Sequence, residues 1–305
     1  MTQTRKNSLI GSIFLALAAV IWGSSFVAQT AGAEFVGPFT FIAIRSLLGS
    51  VALLPVIFVM DTAKKKSKPQ EYKKMTKADY KYLLFGGTVC GVVLCAASNL
   101  QQLGIDGGTA PGMAAFITAL YILLVPIFSV VIGKKIRPIV WVCVGVSVVA
   151  LYLLCVKDGG KVQGSDLYVL ACAACYAVHI LVIDKVSPKL DGIRLSSLQF
   201  FIAGVITCIP ALLFEETSLE ALKAAAPSIA YSGIMSSGVA FTLQILGQQK
   251  TEPTIATMIM SLESVFGVLT AMIVLSQVPT ARETLGCILM FAAIIVAQLP
   301  EKKKE

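Results

Sequence analysis

The chain reads as an all-α integral membrane protein of ten transmembrane helices, arranged as two inverted five-helix repeats. Three observations predict this. Apolar runs of bilayer length fill the chain, one motif recurs half a chain apart, and basic residues collect at alternate ends of the runs. Of 305 residues, 56% are hydrophobic and 14% charged, where a soluble domain carries about a quarter charged residues. Mean hydropathy is +0.83. Lipid offers no partner for a free backbone group, so spanning segments are helices or closed barrels, and these runs far exceed the roughly ten residues of a barrel strand.

A crossing helix needs about 20 apolar residues. The first run, 8–30, follows Arg5-Lys6 and continues to Val27, too long for an ordinary signal peptide, so it is expected to be retained. The second, 37–59, opens at Gly37-Pro38 and holds Arg45. A polar, Lys-rich loop over 61–81 separates it from the third, 82–103. The fourth, 110–132, starts at Ala110-Pro111; the fifth, 137–156, has few polar side chains in mid-span. The second half repeats the scheme over 165–185, 194–214, 228–249, 253–275 and 281–299, with an acidic loop at 214–227. The first repeat is assigned to residues 1–156 and the second to 164–305. All eight cysteines fall within runs, without a disulfide framework, as small packing residues do.

The duplication is legible in Leu100-Gln101-Gln102-Leu103-Gly104 followed by Thr109-Ala110-Pro111, against Leu243-Gln244-Ile245-Leu246-Gly247 followed by Thr251-Glu252-Pro253. Gly11-Ser12 against Gly164-Ser165 is a second echo. With the N-terminus cytoplasmic, twenty of the 25 Lys and Arg lie on the inner side and four on the outer, Arg45 being within a helix. That bias is the positive-inside rule and sets both termini in the cytoplasm of a cell bounded by this plasma membrane. It also accounts for the net charge of +8 without nucleic acid. Five crossings per half make the halves inverted, an arrangement that lets two similar units rock about a site between them. The loop lysines can also meet anionic lipid headgroups, and Pro69-Gln70 interrupts any single helix through that loop.

Several stretches resemble EamA-type transporters of the drug/metabolite transporter superfamily. They are Trp22-Gly23-Ser24-Ser25-Phe26, Leu100-Gln101-Gln102-Leu103-Gly104, Ala115 to Tyr121, Val125-Pro126, Gln248-Gln249-Lys250, and Ser261-Leu262-Glu263-Ser264-Val265-Phe266 followed by Leu275-Ser276-Gln277. Lys134 and Gln277 stand where the family commonly has Glu, and Arg45 matches a frequent family arginine. The resemblance implies a secondary carrier whose first, third, fourth, sixth, eighth and ninth helices surround a cavity, the fifth and tenth packing behind.

Polar residues inside the runs nominate the site. Trp22, Ser25 and Gln29 share one helix face, being spaced i, i+3, i+7. Asn99 and Gln102 on the third helix, and Ser237, Gln244 and Gln248 on the eighth, either line a cavity or bond neighbouring helices. Glu263, ten residues past Pro253, lies about 15 Å deep, near the midplane. A charge there costs at least about 2.5 kcal/mol, so Glu263 faces a cavity, has a partner or is protonated. It can neutralise a cationic substrate or carry a coupling proton. Arg45, about 12 Å in from Gly37, either receives a substrate carboxylate or snorkels outward. Tyr121 and Tyr176 can wall a substrate. His179, the only histidine, is a titrating site residue or a helix–helix bond. Cys172, Cys175 and His179 share a face, but about 10 Å of rise separates the first from the last, whereas zinc needs ligands at about 2.0–2.3 Å. No metal and no cofactor are expected. A carrier of a small polar metabolite such as an amino acid is the leading reading, ahead of an uncoupled facilitator or exchanger. An intramembrane enzyme lacks a catalytic constellation, and no Gly-rich nucleotide loop is present.

Overall fold

The computed structural model describes residues 3–67, 75–156, 163–275 and 280–299. Helices account for almost all of them, and there are no strands among the described residues. In chain order they are α1 (Gln3–Ala33), α2 (Pro38–Ser67), α3 (Lys77–Asp106), α4 (Pro111–Ala119), α5 (Tyr121–Val131), α6 (Pro138–Cys155), α7 (Asp166–Val186) and α8 (Gly192–Phe214). There follow α9 (Leu219–Ala230), a π-helical segment (Tyr231–Ala240), α10 (Phe241–Gln248), α11 (Pro253–Met260), α12 (Leu262–Leu275) and α13 (Ala281–Ala297). Eight described helices are long and apolar enough to cross a membrane. The remaining two expected crossings are the divided α11–α12 and the 17-residue α13.

Local chemistry sets the ends. Pro111, Pro138 and Pro253 open α4, α6 and α11 at a position whose N–H needs no helical partner. Capping boxes start α3 (Thr76 with Asp79) and α13 (Thr280 with Glu283). Asp191 accepts the N–H groups of Ile193 and Arg194 at 3.1 Å to start α8. The first turn of α2 is capped from elsewhere: Glu215 accepts the Phe39 and Thr40 N–H groups at 2.9 and 2.7 Å.

Three boundaries correct the sequence reading. The expected loop over 61–81 is helical to Ser67, with Lys64, Lys65 and Lys66 in the last turn of α2, where the helix dipole favours cations. Lys77 to Lys81 likewise belong to α3. The acidic loop 214–227 shrinks to four residues, because Ser218 caps α9 through the Ala221 N–H at 3.1 Å and an alanine-rich turn follows. Hydropathy alone overlooks such polar helix formers. Pro69, Gln70 and Gln277 lie outside the described residues.

The packing is built of close pairs. α2 lies along α8, α3 along α7 and α8, and α6 along α13; α1 meets α10, α12 and the π segment. At the lysine-rich end, Arg194 bonds Asp61 and so ties α8 to α2. Arg137 there caps the end of α13 through the carbonyls of Ala297 and Leu299 at 2.5 and 2.8 Å. Glycine governs how closely α1 and α12 cross. A Cβ on Gly23 would stand 2.6 Å from the Glu263 carbonyl oxygen and 2.8 Å from the Gly267 nitrogen. Both are backbone atoms and cannot yield. Gly145 on α6, by contrast, has nothing within 4 Å of where a Cβ would stand.

Gly23→Ala is therefore expected to cost about 1–3 kcal/mol, the range for overpacking, and to lower the melting temperature in detergent. Gly145→Ala should melt at or above the parent temperature, as alanine favours a helix over glycine by about 0.8–1 kcal/mol. Equal melting of the two variants would contradict this crossing.

Candidate functional site

A pocket lies within the bundle, walled by residues from seven crossings. α1 contributes Trp22, Ser25, Phe26 and Gln29; α2 adds Arg45 and α3 adds Gln101. Thr118 and Tyr121 flank the junction of α4 and α5, and Met260 and Glu263 that of α11 and α12. Tyr176 and Ile180 come from α7, Ser236 from the π segment, and Phe241 and Gln244 from α10. α6 and α13 contribute nothing to the wall.

The two junctions are alike. Leu120 and Ser261 each interrupt a crossing for one residue, and a new helix starts at once, placing Tyr121 and Glu263 in the first turns of α5 and α12. Ser261 turns its hydroxyl to the Thr257 carbonyl at 2.8 Å. The helix starts meet across the cavity, where the Tyr121 hydroxyl donates to Glu263 Oε1 at 3.3 Å. Glu263 is 5% exposed and is held by this one protein hydrogen bond.

Arg45 does not snorkel. It is 2% exposed and donates from Nη1 to Gln29 Oε1 at 2.8 Å, with its guanidinium 6.0 Å from the Phe41 ring centroid. Its Nε has no protein partner. Arg45 and Glu263 form no ion pair with each other, although both face the cavity. Trp22 Nε1, Ser25 Oγ and Gln244 Oε1 are buried there without a protein partner as well. Leaving such a group unbonded costs about 1–3 kcal/mol each, so these atoms are poor packing elements. Two are donors, Trp22 Nε1 and Arg45 Nε, Gln244 Oε1 is an acceptor and the Ser25 hydroxyl can be either, a set suited to a small polar guest. The aromatic rings of Trp22, Phe26, Tyr121, Tyr176 and Phe241 supply its apolar surface.

Eight of the thirteen residues nominated from sequence meet at this wall: Trp22, Ser25, Gln29, Arg45, Tyr121, Tyr176, Gln244 and Glu263. Asn99, Gln102, His179, Ser237 and Gln248 do not. Asn99 donates to the Cys95 carbonyl and to Thr207 Oγ1, both at 2.8 Å, and so joins α3 to α8. Gln102 is fully buried off the wall, and Gln101 takes its place, donating to Thr118 Oγ1 at 3.1 Å. His179 Nε2 pairs with Gln199 Oε1 at 3.0 Å, behind the Phe241 ring. Among the described residues no three of His, Cys, Asp and Glu cluster as metal ligands. Sequence reading missed Gln101, Thr118, Ser236 and Phe241. Gln101 was recoverable, because it sits two residues after Asn99 in the repeated motif and aligns with Gln244.

The sequence profile of the EamA-like transporter family matches the chain twice, over residues 9–156 and 163–298. An uncharacterized transporter of Archaeoglobus fulgidus is 26% identical over 95% of this chain and 86% of its own length. The uncharacterized inner membrane transporter YedA of Escherichia coli is 21% identical over 82% and 77%. The uncharacterized transporter YwfM of Bacillus subtilis is 22% identical over 97% and 96%. A solved crystal structure at 16% identity matches with a TM-score of 0.72 over 96% of both chains, which shows a shared fold alone. The chain is a multi-pass membrane protein and belongs to the EamA-like transporter family.

Proposed function

We propose that this protein is a secondary carrier that moves a small polar metabolite, such as an amino acid, across the plasma membrane by alternating access. The observation that carries the reading is the cavity wall itself. A base and an acid that form no ion pair with each other, Arg45 and Glu263, face one cavity, and Glu263 and Tyr121 stand at the junctions of two interrupted crossings. Discontinuous helices at mid-membrane are where carriers hold substrates and coupling ions. In this reading Arg45, with Gln29 and Ser25, receives the negative end of the substrate. Glu263 with Tyr121 receives its positive end or a coupling proton. Trp22 and Tyr176 hold the apolar part.

The inverted repeat is supported by the two family matches and by a similar packing, in which the first helix of each half meets the repeated motif of the other half. Gly11, in the third turn of α1, packs on the Gly247 carbonyl oxygen and Thr251. Ser165 at the start of α7 packs on Gly104 and Gly107 and accepts from Thr109 at 2.9 Å. Those partners are the equivalent positions of the repeated motif. The charge bias supports cytoplasmic termini.

Glu263→Gln keeps size and hydrogen bonding but removes the titrating group. The variant should insert and melt like the parent while losing concentrative transport, or its dependence on pH between about pH 5 and 8; normal transport across that range would overturn the coupling role. Arg45→Ala should weaken apparent affinity about tenfold or more, the loss of one charged hydrogen bond of about 1.5–3 kcal/mol, with maximal velocity less affected. An unchanged half-saturation constant in uptake assays would remove Arg45 from the substrate site.

Single cysteines at Asp106 and Lys250, in a background without the native eight, should label from outside and inside respectively. Labelling of both by an impermeant reagent from one side would refute the inverted repeat.

A further inference from the structure

Two glycines on α3 approach neighbouring helices closely. A Cβ on Gly91 would stand 2.8 Å from the Gln199 carbonyl oxygen of α8 and would also meet the Ile202 side chain, three residues on. A Cβ on Gly104 would stand 3.1 Å from the Ser165 carbonyl oxygen and would also meet Val169 of α7, four residues on. The second half makes both kinds of contact. A Cβ on Gly233 would stand 3.0 Å from the Arg45 carbonyl oxygen of α2 and would meet Leu48, again three residues on. One on Gly247 would stand 3.0 Å from the Gly11 carbonyl oxygen of α1 and would meet Leu15, again four residues on. Yet Gly104 follows Gly91 by 13 residues, whereas Gly247 follows Gly233 by 14.

The extra residue falls between Gly233 and Gly247, and the π segment, Tyr231–Ala240, occupies the first part of that stretch. In an α-helix one added residue turns everything after it by about 100°. That turn is absent here. Gln101, ten residues after Gly91, and Gln244, eleven after Gly233, both face the cavity. The widened turns take up the added residue, the Phe241 N–H reaching back five residues to the Ser236 carbonyl. Counted from the glycine, the counterpart of Ser236 on α3 is Leu94; counted back from the glutamine, it is Val93. Both are apolar and off the wall, to which α3 brings Gln101 alone. Ser236 is on it.

Resting on the carrier reading above, we infer that the residue added to this crossing is a piece of the substrate site. It turns Ser236 toward the cavity while Gly233 and Gln244 keep the places of Gly91 and Gln101. The Ser236 hydroxyl, both donor and acceptor, then bonds the polar guest from the second half alone.

Deletion of Val239, an exposed residue of the π segment, gives this crossing the spacing of α3 and should leave the melting temperature of the purified protein near the parent's. Deletion of Val92, similarly exposed on α3, removes a residue where none is spare and should lower melting strongly. In a background without the native cysteines, Ser236→Cys should react with the small thiol reagent methyl methanethiosulfonate. Deletion of Val239 should slow that reaction tenfold or more, by turning the residue to the place Leu94 has on α3. Ser25→Cys, elsewhere on the wall, should react alike with and without the deletion. Ser236→Ala should melt like the parent but lose most of the gain in melting temperature given by whichever of the twenty protein amino acids stabilises the parent most. Equal destabilisation by the two deletions, a Ser236→Cys reaction that survives loss of Val239, or a full amino-acid gain in Ser236→Ala would overturn the inference. If none of the twenty stabilises the parent while the deletions and cysteines behave as stated, the added element stands and the amino-acid carrier reading fails instead.

Discussion

Every polar group that enters the hydrocarbon must be bonded by the protein itself or kept beside a wet space, and this constraint governs the whole molecule. The backbone meets it by staying helical through almost every described residue. Side chains meet it in pairs, as Asn99 does with Thr207 and His179 with Gln199. Helix ends meet it with capping boxes, prolines and borrowed carboxylates such as Glu215. Trp22, Ser25, Arg45 and Gln244 keep free polar atoms at the cavity. A polar guest in that space can bond them, which atoms buried between packed helices do not offer.

Close crossings frame that cavity. α1 runs against α12 at Gly23 and against α10 near Gly11, with backbone meeting backbone. Gly49 and Gly233 let α2 approach the π segment just as closely, since a Cβ on Gly49 would stand 2.8 Å from the Gly233 carbonyl oxygen. Without a hydrophobic drive between helices in lipid, small residues and van der Waals contact hold such pairs together. The π segment is itself a looser helix, a form that is rare and often found at functional positions. It carries Ser236 to the wall and leads into Phe241 and Gln244. Structure, packing and site therefore meet along one crossing, Leu219–Gln248.

Much of this was legible in the sequence. Apolar length gave the number and order of the crossings, because the bilayer imposes one length scale on all of them. Depth and face gave Glu263, Arg45 and the Trp22–Ser25–Gln29 stripe, because a polar residue at mid-span has few options. Other features were hidden for physical reasons. Hydropathy cannot see that Lys64 to Lys66 or Leu219 to Ala230 are helical, since helix propensity and capping, not apolarity, decide there. Helix rotation by a single residue decided between Gln101 and Gln102, which only the alignment of Gln101 with Gln244 across the repeat separates. The interruptions at Leu120 and Ser261 involve residues that carry no breaker signal at all.

The central claim is that one cavity serves both faces of the membrane in turn. It is tested most directly by counterflow in proteoliposomes, using whichever amino acid, amine, nucleoside or sugar most raises the melting temperature of the purified protein. Preloading the vesicles with unlabelled compound should accelerate uptake of the labelled compound, and uptake should saturate. Uptake that rises linearly with concentration and ignores the preloaded compound would contradict alternating access and indicate an open pore.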